Sequence, residues 1–585
     1  MWGSRLVSMV APVDVIAPKV SAAIAEALGD AYRDADPVLR PSQYADVQVN
    51  AALALAKKAG AKPRDLAQQI VSHLDLSQEC SSVEVSGPGF LNLTFREEWL
   101  SSLVGDLAAD PRLGVPVEER QNIPIDYSAP NVAKEMHVGH LRTTIVGDCL
   151  ARTLEHLGHH VVRQNHVGDW GTPFGMLVEH LLDVGEDSPE AHVVETDPNA
   201  FYQAARVKFD SDPDFATRSR ARVVKLQAGD PETLRLWNRL YDLSKSYFNK
   251  VYAKLGVTLT DADLAGESTY NDMLPGICAD LEDKGIATMD DGALVVFLPG
   301  FTGRDDRPVP LFIRKSDGGY GYGTTDVATV KHRIEELHAD RILYVIGVTQ
   351  SLHLEMVYET ARRAGYLPED VEVVHVRIGS VLGDDRKILK TRSGAPLRLM
   401  YLLDEAVDHA RKYVDEARPE LPEDVRADLA RQVGIGAVKY ADLSVAHDSD
   451  YVFDLDRMLA LTGNTGPYLQ YAAARIRSIF RGIEAAPDPA ASPIMLTERA
   501  ERELAMRLLE FGRTVAQVGA IYEPHRLCTY LFELAQSFSS FYENCPVLKA
   551  DSEEVRASRL ALCALTLQVM VTGLDLLGME APEQM

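Results

Sequence analysis

Ser128-Ala-Pro-Asn-Val-Ala-Lys-Glu-Met-His-Val-Gly-His-Leu-Arg142 is the stretch from which the rest of the chain can be read. Ile123, Ile125 and Tyr127 alternate before it, as in a strand. After it, Leu141, Ile145, Cys149, Leu150, Leu154 and Leu157 recur at helical spacing, and Gly158 supplies a stop. The apolar run at 160–163 completes a βαβ unit with His137-Val-Gly-His140 at its first strand-to-helix turn. Such a turn aims backbone N–H groups and the positive end of a helix dipole at its ligand, and phosphate is the usual guest. The glycine fingerprint of dinucleotide folds is absent. Two histidines instead flank one glycine, which lets a nucleotide approach the backbone closely with two imidazoles in reach of its phosphates. In isolation His-x-x-His suits a metal or water equally well; the strand before it and the helix after it favour the nucleotide.

At 585 residues the chain is long enough for several domains. A 46% hydrophobic and 25% charged composition is that of an ordinary soluble globular protein, with no run long enough for a membrane span and no export signal at the start. The 6 cysteines are scattered without a Cys-x-x-Cys and read as reduced core thiols, so no metal site is expected. A net charge of −26 argues against indiscriminate nucleic-acid binding but leaves room for a structured RNA on local basic patches.

Ser-x-Pro-Asn followed by His-Val-Gly-His resembles the ATP signature of class I aminoacyl-tRNA synthetases, in the form carried by arginyl-tRNA synthetases. The likeness runs from about residue 13 to the end. It implies an α/β Rossmann-like nucleotide-binding catalytic domain with a helical insertion, an N-terminal α+β domain and a C-terminal all-α bundle. The expected boundaries are 1–12, an extension; 13–115, the tRNA-contacting α+β domain; and 116–400, the catalytic domain with its insertion at about 175–309. A helical junction at 401–455 and an anticodon-binding bundle at 456–585 complete the chain.

The residues fit that plan. The spans 22–28, 47–59 and 63–76 read as helices, and 83–85 and 90–94 as strands about Gly87-Pro-Gly89. His166 and Asp169 sit in the loop after the second strand of the βαβ unit, to hold nucleotide or order the loop. Ser316-Asp-Gly318 between 311–314 and 319–322 reads as a hairpin, followed by a helix that Asp326 could cap. A strand at 342–347, a helix at 352–364 and a strand at 371–378 form the second half of the nucleotide fold. Beyond 400 the pattern is helical, at 468–480, 498–518, 527–543 and 553–577, the last with a capping box from Asp551 and Glu554.

The resemblance also implies roles. His137, His140 and Lys390 are the expected catalytic groups, facing charge that builds on phosphate when a carboxylate displaces pyrophosphate. Lys390-Thr-Arg392 stands where the family carries its mobile lysine loop, in an altered form, and Lys387 is the alternative cation. ATP is expected to meet Gly139, His137, His140, His353 and Lys390, and Mg2+ to accompany it without assigned protein ligands. Arginine is expected at Asp126, Asn131, Tyr322, Asp326 and Gln350, since a guanidinium wants a carboxylate in bidentate geometry and acceptors for its remaining donors. Tyr471, Arg475 and Arg477 are the expected tRNA contacts. The implied protein is a cytoplasmic, monomeric arginine–tRNA ligase whose partners are L-arginine, ATP and tRNA(Arg), with no membrane. A class I enzyme for another amino acid and a catalytically silent RNA-binding relative are the competing readings. The pair Asp126 and Asp326 opposes the first, and the intact His137, Gly139, His140 and Lys390 oppose the second.

Overall fold

The computed structural model describes residues 11–42, 44–132, 134–303, 307–316, 318–389, 397–481, 483 and 488–585. At its centre β1 (Asn122–Asp126) leads through α1 (Gly139–His156) to β2 (His160–Gln164). A helical insertion follows, closing with α2 (Pro231–Leu255). The chain returns through α3 (Tyr322–Glu335), β3 (Arg341–Gly347), α4 (Ser351–Ala364) and β4 (Glu372–Ile378). The strands lie in the order β4-β3-β1-β2, every pair parallel, with Asp126 in register with Tyr344 on one side and Gln164 on the other. Chain direction across the sheet reverses between β1 and β3, so a crevice opens at their carboxyl ends, where ligands bind in such sheets.

Two local readings change around that crevice. The expected strand at 319–322 does not form: only Tyr320 bridges to Arg314, and Tyr322 already opens α3. Packing explains this, because a Cβ at Gly323 would stand 2.7 Å from the Phe312 carbonyl oxygen, so the helix can start flush against the preceding strand. Asp326 consequently lies in the second turn of α3, and Gly321 occupies the N-cap. Before that, Thr288–Asp290, Ala293–Thr302 and Pro308–Arg314 build a small antiparallel sheet.

The N-terminal unit is a four-stranded antiparallel sheet with helices, as expected, but Val47–Val49 is a strand paired with 91–93 rather than a helix start. Its alternating buried valines decide it. Helix Pro12–Leu28 also begins ten residues before the expected 22.

The C-terminal part holds α5 (Leu399–Ala417), α6 (Glu423–Leu443) and α7 (Gly466–Phe480), then three helices, then α8 (Glu553–Leu576). The single helix expected over 498–518 is two, Arg499–Leu509 and Phe511–Ile521, separated at Glu510. At α8 the cap is Ser552, whose hydroxyl accepts from Val555 N at 3.3 Å, rather than Asp551. α8 is apolar and long enough to cross a membrane by length and composition alone, yet 72% of its apolar window is buried inside the protein. It is a core helix. All 6 cysteines are buried and unpaired.

Candidate active site

The loop after β1 is held in an uncommon conformation. Ser128 and Ala129 both have positive φ, 71° and 47°, a left-handed geometry that side-chain-bearing residues rarely adopt. A buried set of hydrogen bonds keeps them there. The Ser128 hydroxyl meets the Tyr252 hydroxyl of α2 at 2.8 Å and accepts from the Thr144 hydroxyl of α1 at 2.9 Å. Ala129 N donates to Asn165 Oδ1 at 3.1 Å, and Asn165 Nδ2 donates back to Tyr252 at 2.9 Å. Asn131 then bridges to Gly168, with Val132 N donating to the Gly168 carbonyl at 3.0 Å. The loops after β1 and β2 are thereby one rigid rim.

The two histidines stand at the start of α1 with ring centroids 4.1 Å apart. Gly139 N donates to His137 Nδ1 at 3.0 Å, and His137 N donates to His140 Nδ1 at 3.2 Å. Each ring nitrogen that accepts a backbone proton carries none, so both rings are neutral with the proton on Nε2. The electrostatics agree. Burial and the Lys134 charge lower the His137 pKa, while burial and the neighbouring His137 push His140 down to about 3. A Cβ at position 139 would lie 2.7 Å from His137 Cε1, so only glycine leaves the ring in place. The turn is therefore a pair of preset N–H donors at a helix N-terminus, with Lys134 as the nearby cation.

The far side of this turn is clamped. Val138 N donates to Leu397 O at 3.0 Å, and Leu399 N to Met136 O at 2.9 Å. Arg398 between them pairs with Glu135 at 2.8 Å and with Asp197 at 3.2 Å. The backbone that follows the second signature loop is thus bonded to the first. Lys390, with Thr391 and Arg392, lies outside the described residues.

Across the crevice Asp326 is half-buried on α3. Its Oδ2 meets His353 Nε2 of α4 at 2.5 Å, and its Oδ1 lies 3.8 Å from His166 Nε2. Burial opposes a charge on His353, and the hydrogen bond and charge of Asp326 outweigh it, raising the pKa. Tyr322 is 68% exposed at the mouth, and Gln350 is exposed in the turn between β3 and α4. Glu267, which sequence reasoning missed, joins them from the insertion. It is buried, its Oε2 accepts from Trp170 N at 3.2 Å, and burial with the charges of Asp169 and Asp326 pushes it up to about 8. Asp169 orders this wall by accepting from Ser268 N and its hydroxyl at 2.9 and 2.6 Å; it does not cap the helix that starts at Thr172.

Asp126, expected among the arginine contacts, ends β1. It is 1% exposed at the crevice floor, and its Oδ2 accepts from Arg333 Nη2 at 2.7 Å. The two rims together set paired imidazoles on one side and the acids Asp326 and Glu267 on the other.

Family comparison decides which reaction. Residues 103–455 match the model of tRNA synthetases class I (R), catalytic domain; residues 14–95 match the arginyl tRNA synthetase N terminal domain and 469–585 the DALR anticodon binding domain. An arginine–tRNA ligase of Thermobifida fusca is 68% identical over 577 residues, 99% of this chain and 100% of that one. The chain belongs to the arginyl-tRNA synthetase family. A second such ligase, from Frankia casuarinae, is 52% identical with 97% of each chain covered. Among solved structures, arginyl-tRNA synthetases of Plasmodium falciparum and Thermus thermophilus superpose with TM-scores of 0.82 and 0.77, at 28% and 26% identity. They cover 98% and 97% of this chain and 99% of each of their own.

As in a synthetase with a separate RNA-binding bundle, the expected tRNA residues lie on α7, far along the chain from the crevice, and the structure divides them. Tyr471 is 43% exposed, and one turn on Arg475 lies 4.8 Å from the Tyr542 ring centroid. Arg477 turns the other way: its Nη1 donates to the carbonyls of Ala581 and Pro582 at 2.8 and 2.7 Å, tying down the C-terminus. Its Nη2 also lies 3.4 Å from Glu583.

Proposed function

We propose that the crevice joins L-arginine to ATP and passes the arginyl group to the 3′ end of tRNA(Arg). The observation that carries this is the pairing of preset histidine donors, fixed about Gly139, with an acidic wall at Asp326 on the opposite rim of one crevice. In the first step a carboxylate oxygen of arginine attacks the α-phosphorus of ATP, the bond to the bridging oxygen breaks, and pyrophosphate leaves. His137 and His140 donate from Nε2 to phosphate oxygens as charge builds there, with Lys134 and Lys390 as the flanking cations. In the second step a terminal ribose hydroxyl of tRNA attacks the arginyl carbonyl and AMP departs.

Asp326 is the seat for the substrate guanidinium, with Tyr322, Asn131 and Gln350 supplying further polar contacts and Glu267 a second acidic group. His353 holds Asp326 until arginine replaces it. A ligand lacking a guanidinium leaves the half-buried Asp326 and the buried Glu267 without their planar donor, which is the basis for rejecting lysine. Mg2+ would accompany ATP and offset the charge on its phosphates, with no protein ligands assigned to it. Tyr471 and Arg475 form the tRNA face of α7. Unpaired buried thiols suit a reducing compartment, and we assign the protein to the cytoplasm as a monomer.

The test is ATP–pyrophosphate exchange with each amino acid, with and without tRNA. Exchange with arginine alone supports the reading; exchange with a different amino acid removes the assignment of Asp326, and none from folded protein removes the reaction.

A further inference from the structure

Lys134 and Glu135 lead into Met136 and the histidine turn, and both are tied to the helical insertion, Lys134 directly and Glu135 through Arg398. Lys134 Nζ stands over the Tyr202 ring, 4.4 Å from its centroid. Glu135 pairs with Arg398 at 2.8 Å, and Arg398 Nη2 donates to both Asp197 carboxylate oxygens at 3.2 Å. Asp197 and Tyr202 stand at the start of one insertion helix, Pro198–Ser211, which Asp197 caps by accepting from Ala200 N at 2.9 Å. That helix is anchored in the insertion: Phe201 and Ala205 are buried, and the Phe201 and His180 ring centroids lie 4.9 Å apart.

Lys134 and Tyr202 are both half-buried, and partly exposed contacts of this kind contribute little to stability. What they fix is geometry. A lysine ammonium sits on a flexible four-carbon stem, and an unseated one spreads over many rotamers. The kind of seat matters as well. A carboxylate would fix the ammonium and cancel its charge, whereas an aromatic face attracts it through the ring quadrupole and leaves the charge whole. Lys134 is thus held in one place, near enough for its charge to act on His137, and keeps that charge for a phosphate.

We propose that Tyr202 is a positioning residue for the activation step, an aromatic seat on the insertion that aims the Lys134 ammonium at the phosphates of ATP. The inference rests on the reading of the crevice given above, in which Lys134 flanks those phosphates. No bond to Tyr202 is made or broken. The ring selects one placement of Lys134, and Asp197, through Arg398 and Glu135, keeps the helix that carries the ring in register with the histidine turn. The insertion therefore completes the phosphate side of the crevice from outside the nucleotide fold.

The experiment measures ATP–pyrophosphate exchange by the full-length enzyme with arginine and tRNA. The variants are Tyr202→Leu, Tyr202→Phe, Tyr202→trifluorophenylalanine, Lys134→Met and Lys134→Met/Tyr202→Leu. Tyr202→Leu should lower kcat about fivefold and leave KM for arginine within about twofold, the pattern of a contact needed only in the transition state. Tyr202→Phe keeps the ring and should keep the rate. Trifluorophenylalanine keeps the ring's shape while draining charge from its face, and should be as slow as Tyr202→Leu. Once Lys134→Met has removed the ammonium, Tyr202→Leu should cost nothing more. Unchanged kcat in Tyr202→Leu, an equal loss in the Lys134→Met background, or Tyr202→Phe as slow as Tyr202→Leu overturns the proposal. Should Tyr202→Leu fail to fold, the two phenylalanine variants decide: equal rates overturn it, and a slower fluorinated ring upholds it. Wild-type enzyme that activates no arginine, or Lys134→Met at the wild-type rate, would strike the reading of the crevice itself and the proposal with it.

Discussion

Two regions of this molecule bury charge, and they do so in opposite ways. Where α1, α2, α6 and the C-terminus meet, Arg142, Asp148 and Lys439 each have hydrogen-bond partners. Arg142 donates to Asp442 at 3.0 Å and to the Ser449 carbonyl at 2.6 Å. Asp148 accepts from Thr258 N and its hydroxyl and from Arg152, while Lys439 donates to the carbonyls of Leu255 and Gly578 at 2.6 Å each. In the crevice the balance is left open: Glu267 is kept next to two other acids, Asp326 is held by a histidine, and the rim residues Ser128 and Ala129 carry positive φ. Saturated polar networks fix a fold, whereas incomplete ones are tolerated where a ligand completes them. The same helix, α1, serves both regions, carrying Arg142 and Asp148 toward the junction and His140 toward the crevice.

Breaking the saturated region should cost the most. Arg142→Met leaves Asp442 buried without its cation and should lower stability by about 3–5 kcal/mol, as for other broken buried pairs. A thermal melt reads this directly; a melting temperature within a degree or so of wild type would show that the junction is not held by charge. In the crevice the same kind of deletion should fall on activity instead. Asp326→Asn should cost roughly 2–5 kcal/mol in kcat/KM for arginine while the melt stays nearly unchanged. Loss of both together would erase the contrast between the regions. Gly139→Ala comes next, since its Cβ must displace the His137 ring; a misplaced donor should cost about a hundredfold in exchange rate. Its arginine affinity should be retained, which equilibrium binding without ATP can check.

How much of this was legible in the sequence depended on distance along the chain. His137, Gly139 and His140 act through bonds spanning two or three residues, so their motif carries its own geometry. The parallel sheet followed from apolar runs broken by helices. Tyr322 was misplaced because Gly-Tyr-Gly-Tyr alternates like a strand, and only the carbonyl of Phe312 packed against Gly323 makes it a helix start. Asp126 and Arg333 are 207 residues apart, and no local pattern links a strand-end acid to an arginine three turns into a later helix. Glu267 sits in the insertion with no periodic signal, visible only when the fold lays it beside Asp169 and Asp326. The bonds of Arg477 to 581 and 582 have no local signal either, since those carbonyls lie 104 and 105 residues further along the chain.

Glu267 also gives the mildest way to probe the open region. Burial and the charges of Asp169 and Asp326 raise it from the usual 4.5 to about 8, so at neutral pH the folded protein holds it protonated and the unfolded chain does not. The sign is therefore opposite to that of a paired acid: Glu267 disfavours the folded state increasingly as pH rises from 4.5 toward 8. A guanidinium beside it stabilises the charged form, so arginine binding must expel a proton below about 8 and need expel none above. Arginine affinity should thus rise with pH, by up to about tenfold per unit, and level off near the folded pKa. The competing pair of His353 with Asp326 pushes the same way, since a charged His353 holds the substrate's seat in acid. Glu267→Gln separates the two contributions. It should flatten most of the slope in binding measured between pH 6 and 8 while gaining stability at the upper end of that range, and a slope that survives unchanged would assign the dependence to His353 instead.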